Sequence, residues 1–148
     1  MLINFLIRRG VDFFREGVKA FMRLGEFKCE VLRINNKANM EVFKQGLLEQ
    51  HINIFRNEVV IIAKNRRVNV LAFDVLDKQT TEMMDRALIV RHKKVFIDLM
   101  KQELGVTVLS HLKDYDPELE ISASVSIFEK DIEELLPEIE SHRTASSD

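Results

Sequence analysis

The sequence predicts an α+β fold in which one long helix stands between two antiparallel hairpins, and three observations point to it. The stretch from Asp77 to Gly105 opens on a capping carboxylate, carries apolar residues at steps of three and four, and closes on a glycine. Before it, VVIIA and VNVLAFDVL are β-rich runs separated by Lys64-Asn65-Arg66-Arg67, the spacing of a hairpin. After it, VTVLSHL and ELEISASVSIF form a second pair across the turn residues Lys113 to Pro117.

Size and composition frame these elements. A chain of 148 residues, 46% apolar and 31% charged, is a single domain able to bury a core without staples. Its one cysteine, Cys29, has no internal partner, so a reducing compartment is expected. No apolar run reaches membrane-spanning length, and MLINFLIRRG places its apolar residues before its arginines, unlike a signal peptide. The expected location is the cytoplasm, including the inner face of the membrane as a peripheral site. The net charge of −2 is unevenly spread: residues 1–25 hold five basic and two acidic side chains, whereas Asp114 to Glu140 holds ten acidic residues and only Lys130. That distribution argues against a nucleic-acid partner.

Taken in order, residues 1–24 read as an amphipathic helix weakened by Gly10 and Gly17, with Phe5, Phe13 and Phe14 among its apolar residues and Arg8 and Arg9 among its basic ones. Phenylalanines beside a basic face suit a membrane surface or a partner protein; an ordinary core or dimer helix is the plainer reading. Gly25 is expected to break this helix. FKCEVLRI, residues 27–34, then alternates as a half-buried strand, Asn35-Asn36 reads as a turn, and a second helix is expected over 38–52, with His51 near its end.

In the first hairpin Val59 to Ala63 is apolar throughout, as in a strand buried on both faces. Asp74 interrupts the next strand; pointing inward it would need a hydrogen-bonded partner, so an exposed position beyond the core is expected. On the long helix Met84, Leu88, Val95 and Leu99 form the expected apolar stripe. The last strand has the clearest alternation in the chain. Leu119, Ile121, Ala123, Val125 and Ile127 are expected inward, with Glu120, Ser122, Ser124 and Ser126 outward. Asp131 then begins an acidic helix over 131–140 with Ile132, Leu135, Leu136 and Ile139 on its apolar side, and residues 141–148 read as a disordered tail.

Chemical motifs are sparse. The sequence holds no glycine-rich phosphate loop, no cysteine pair, no histidine pair at metal-ligand spacing and no nucleophile motif, so neither a cofactor nor a metal is expected and the chain does not read as an enzyme. Arg91, His92 and Lys94 sit within one turn of the long helix and are the candidates for contact with an anion or small ligand. Asp114 and Asp116 are explained by turn formation.

The order of elements brings a family resemblance. EVVIIAKNRRVNVLAFDVLDKQTTEMM and IVRHKKVFIDLMKQELGVTVLSHLKDYDPELEISASVSIFE resemble the MpsC-like family over about residues 42–132, with Arg91 at the family's helical arginine and Asp114 to Pro117 at its turn. This is a small bacterial domain named for a membrane-potential-generating system. Asn53 to Asn57 stands where the family often has a Gly-Arg-Gly-Pro-like segment. The resemblance implies a non-catalytic accessory protein beside a membrane ion or bicarbonate transport system. With the residues themselves, it leads to the expectation of an interaction module, a homodimer that meets itself, a membrane protein or a membrane surface through its sheet edges or first helix. The alternative is a ligand-sensing domain with a pocket between the long helix and the sheet.

Overall fold

The first helix is much longer than expected. The structure, a computed structural model, describes residues 2–68 and 76–146, and within the first helix the side chains from Arg23 onward. Helix α1 (Leu2–Phe43) runs unbroken through Gly25 and through the segment expected to be a strand. Phe27, Val31, Ile34, Ala38 and Val42 are all buried, and their spacing of three and four is helical. FKCEVLRI satisfies a period of two locally, but only the helical period extends through Val42. Burying Phe27, Val31 and Ile34 stabilises by about 1.5–3 kcal/mol each. That outweighs the roughly 1 kcal/mol cost of Gly25 within a helix, where an added Cβ would meet nothing within 4 Å.

Asn35 and Asn36 do not form a turn. Asn35 Nδ2 donates to Gln50 Oε1 at 2.8 Å, Asn36 Oδ1 accepts from the Leu47 amide at 2.9 Å, and Asn39 Nδ2 donates to the Gln45 carbonyl at 2.8 Å. Three helical amides thereby hold the chain that leaves the helix. α1 ends where Lys44 takes φ 59° and its amide reaches the Met40 carbonyl. The expected helix over 38–52 is thus cut at Phe43, and His51 lies on a strand.

Strand β1 (Glu49–Phe55) pairs with β2 (Glu58–Lys64) across Arg56-Asn57, with Arg56 at φ 55°. The first hairpin therefore precedes VVIIA instead of following it. Val59, Ile61 and Ala63 are buried, while Val60 is half-buried and Ile62 exposed, so β2 is covered on one face only. Of the expected partner strand, Val68–Leu76, residues 69–75 lie outside the described residues, Asp74 among them.

Helix α2 (Lys78–Leu104) has both expected caps. Asp77 Oδ1 accepts from the Thr80 amide at 3.0 Å, and Gly105 adopts φ 69° with its amide on the Lys101 carbonyl. The Thr80 hydroxyl and amide, by hydrogen bonding, hold the Asp77 carboxyl below its usual range. Its buried residues are His92, Phe96, Leu99, Met100 and Leu104. The expected stripe is therefore rotated: Leu99 is buried, Leu88 and Val95 are half-buried, and Met84 is exposed.

Strands β3 (Val108–Asp116) and β4 (Ile121–Phe128) complete an antiparallel sheet of order β1-β2-β4-β3. β3 continues through the residues expected as a turn, and the reversal falls at 117–120, where Asp116 Oδ1 accepts from the Glu118 and Leu119 amides. Helix α3 (Ile132–Ala145) buries Ile132, Leu135, Leu136 and Ile139 as expected. It continues through Pro137 to Ala145, so most of the expected tail is helical. The core lies between the sheet and the helices, where the Phe27 and Phe128 rings meet edge to face at 6.5 Å.

Candidate functional site

The orientation of β4 is the reverse of expectation. Ser122, Ser124, Ser126 and Phe128 are buried on the helix-covered face, whereas Ile121 and Ala123 are exposed and Val125 and Ile127 half-exposed on the other. Alternation determines which residues share a face, but not which face is covered. The inner face favours small side chains because aromatic rings occupy the space above it. His111 and Phe96 stack at 4.3 Å, and His92 stacks on each of them at just over 6 Å. His111 Nδ1 bonds to Ser126 Oγ at 2.8 Å, an interaction that valine in that place would not provide.

This inner layer is a buried polar cluster that sequence reasoning did not assemble. Burial, reinforced by Lys113 and by His111, drives the His92 pKa down to about 2. Burial, with Lys113 and Lys93 adding to it, drives that of His111 down to about 3. Burial also lowers Lys113 to about 8 and raises Tyr115 to about 12, with Glu120 adding to the latter. Both histidines are therefore neutral. The Asn35 backbone opposes the effect of burial on His92 only slightly, and neither ring nitrogen makes a hydrogen bond of good geometry. Ser122 Oγ is also without a partner, beside a cavity of about 10 Å³ lined by Asn65, Lys113, Tyr115 and Ile89. That is room for about one water molecule.

The expected contact residues of α2 do not converge. His92 faces the sheet from within the core, while Arg91 and Lys94 are exposed. A histidine at helical spacing within an apolar stripe is drawn inward with it, and the flanking cations remain in water. For Phe5, Arg8, Arg9, Phe13 and Phe14 the backbone is helical within α1, and their side chains lie outside the described ones. Asp114 Oδ1 accepts from the Tyr115 amide and Asp116 holds the turn. Among the described residues no three metal-ligating side chains gather, and no helix is long and apolar enough to cross a membrane.

The uncovered face of the sheet is the second feature that sequence reasoning missed. Pairing brings Val60 beside Val125, with Leu112 on the far side of Val125, and Ile62 beside Ala123. Phe55 is 60% exposed and Leu112 56%. These residues form an apolar strip across the middle of the sheet. Its rim carries Glu49, Glu58, Asp114 and Asp116, with Lys64 as the opposing cation among the strand residues of this face. A shallow depression of about 190 Å³ lies between Glu49, His51, Ile62 and Ile121. His51, exposed, bonds through Nε2 to Glu49 Oε1 at 2.8 Å.

A larger groove of about 320 Å³ runs between α1, the end of α2 and α3. Phe27, Leu104, Leu136 and Ile139 form its floor, and the Arg23–Glu140 ion pair at 2.6 Å spans it. Charges of both signs line its walls, so it has no preference for one sign of ligand. Nearby, Glu103 joins the helices by accepting from Lys37 at 2.8 Å and from Arg33.

Compared with protein-family models, with curated proteins and with solved structures, the chain matches none of them.

Proposed function

We propose that this chain is a non-enzymatic protein-interaction module that pairs with a second copy of itself, and that the open face of the sheet is the surface it uses. The observation that carries this reading is the orientation of β4, which places serines against the core and Ile121, Val125 and Ile127 on the face that no described helix covers. A continuous apolar strip with a polar rim is the usual form of a protein contact surface. Its position on a paired sheet, not on a loop, gives it the rigidity that a contact surface benefits from. An accessory role beside a membrane ion or bicarbonate transport system is supported by the sequence resemblance.

The alternative of a ligand sensor draws support from the unpaired atoms of His92 and Ser122. The cavity beside Ser122 is water-sized, however, and the rings above the sheet stack closely, so self-association is the better-supported reading.

Light scattering after size-exclusion chromatography tests it. The wild-type chain is expected at twice its mass of 17.3 kDa. The double variant Ile62→Lys/Leu112→Lys is expected at the single mass with an unchanged far-UV spectrum, because both side chains already face water. A wild-type monomer at every concentration, or a variant that remains dimeric, would overturn the proposal.

A further inference from the structure

Resting on the reading of the open face as a self-association surface, we infer that its occupant is the first half of α1 from the second copy, exchanged reciprocally. Three observations carry this. The first is continuity: α1 is one helix from Leu2 to Phe43, and Phe27 to Val42 pack on the covered side of the sheet. For its first half to reach the open face of its own sheet the helix would have to break, whereas the helix of a second copy can lie there unbroken.

The second is dimension. Residues 2–22 span about 30 Å at the helical rise. Strands of seven to nine residues run about 23–30 Å, and four of them span about 15 Å between the outer strands. Laid along the strands, one helix thus runs the length of the open face and passes over the apolar strip. A footprint of about 30 by 10 Å, counted on both surfaces and twice over for reciprocal exchange, buries about 1,200 Å², the lower bound of stable specific interfaces.

The third is charge. The open face carries Glu49, Glu58, Asp114 and Asp116 against Lys64, so two such faces packed on each other would bring like charges together. Residues 2–22 carry Arg8, Arg9, Arg15 and Lys19 against Asp12 and Glu16, between apolar residues that include four phenylalanines. A basic amphipathic helix fits the acidic rim and apolar floor, and a second sheet does not. The result is a two-fold dimer whose sheets are covered by helices on both faces, the outer cover coming from the partner.

A charge swap in the full-length chain tests this. Arg8→Glu/Arg9→Glu and, separately, Asp114→Lys/Asp116→Lys are each expected to weaken the dimer about tenfold at low salt. The two sets combined are expected to restore it, and mixed-isotope dimers treated with a carbodiimide should yield Lys19 coupled to Glu58 of the other isotope, at the end of the face away from Asp116. A dimer that Leu112→Lys dissociates but both charge sets leave intact keeps the self-association reading and overturns the helix as occupant. A wild-type monomer overturns both. Sedimentation of monomers with phosphatidylglycerol vesicles, lost in Arg8→Glu/Arg9→Glu, would instead assign the helix to a membrane and overturn the exchange.

Discussion

Lowering the pH from 7 to 5 is expected to remove about 4 kcal/mol of folding stability through His92 and His111 alone. In the unfolded chain both imidazoles return to their ordinary value of 6.5, whereas in the fold they titrate at about 2 and about 3. Between those limits the unfolded state binds protons that the folded state refuses, so stability rises with pH across the window. The contribution is complete above pH 6.5 and is lost as the pH falls toward the folded values. At 1.36 kcal/mol per pH unit, with the unfolded group partly titrated at either end, each histidine accounts for about 2 kcal/mol between pH 7 and 5. That is a large part of the 5–15 kcal/mol typical of a domain. Lys113 stays charged in both states over this range, and the depressed carboxyls of Asp77 and Glu103 act below their ordinary values of 3.8 and 4.5. Urea unfolding followed by circular dichroism across this range measures the slope. His92→Phe keeps the ring stack with Phe43, Phe96 and His111 and is expected to leave about 2 kcal/mol of pH dependence, that of His111 alone. Equal stability at pH 5 and pH 7, or a slope unchanged in His92→Phe, would refute the burial argument.

Two further substitutions probe how the helices are held. Gly105→Ala forces a side chain into left-handed backbone with its Cβ 2.6 Å from the His142 ring, and should cost at least 1 kcal/mol, seen as a lower melting temperature. Asn35→Ala leaves Gln50 Oε1 without the amide that reaches it and should cost about 1–3 kcal/mol in a urea titration at constant m-value, with a melting temperature equal to wild type counting against the buried-amide account.

How much of this was legible in the sequence depended on whether a signal was local. The caps of α2 are local chemistry, so Asp77 and Gly105 mark its ends correctly, and the Ile132, Leu135, Leu136, Ile139 stripe identifies α3. Residues 27–34 illustrate the opposite case. Phe27, Cys29 and Val31 fit a strand, and only continuation to Ile34, Ala38 and Val42 reveals the helix, while Gly25 reads as a stop that tertiary burial overrides. β1 was hidden because Ile52 and Ile54 are its only aliphatic residues and its turn uses Arg56 in a left-handed conformation, which no glycine advertises. The alternation of β4 was legible, but its sense was not, because helices approach one face for reasons distributed over the whole chain. The same gap concealed both features of the candidate site. His92 and His111 are 19 positions apart in the sequence and meet only once α2 lies on β3, and the open apolar face exists only once the serines are seen to point inward.

The most direct test of this account is thiol reactivity on β4 as a function of protein concentration, in a Cys29→Ser background. Val125→Cys should be modified rapidly in dilute solution and progressively more slowly as the chain pairs, while Ser124→Cys is protected throughout. Rapid modification of Ser124→Cys with protection of Val125→Cys in dilute protein would invert the sheet. A Val125→Cys rate independent of concentration would leave its open face without a partner.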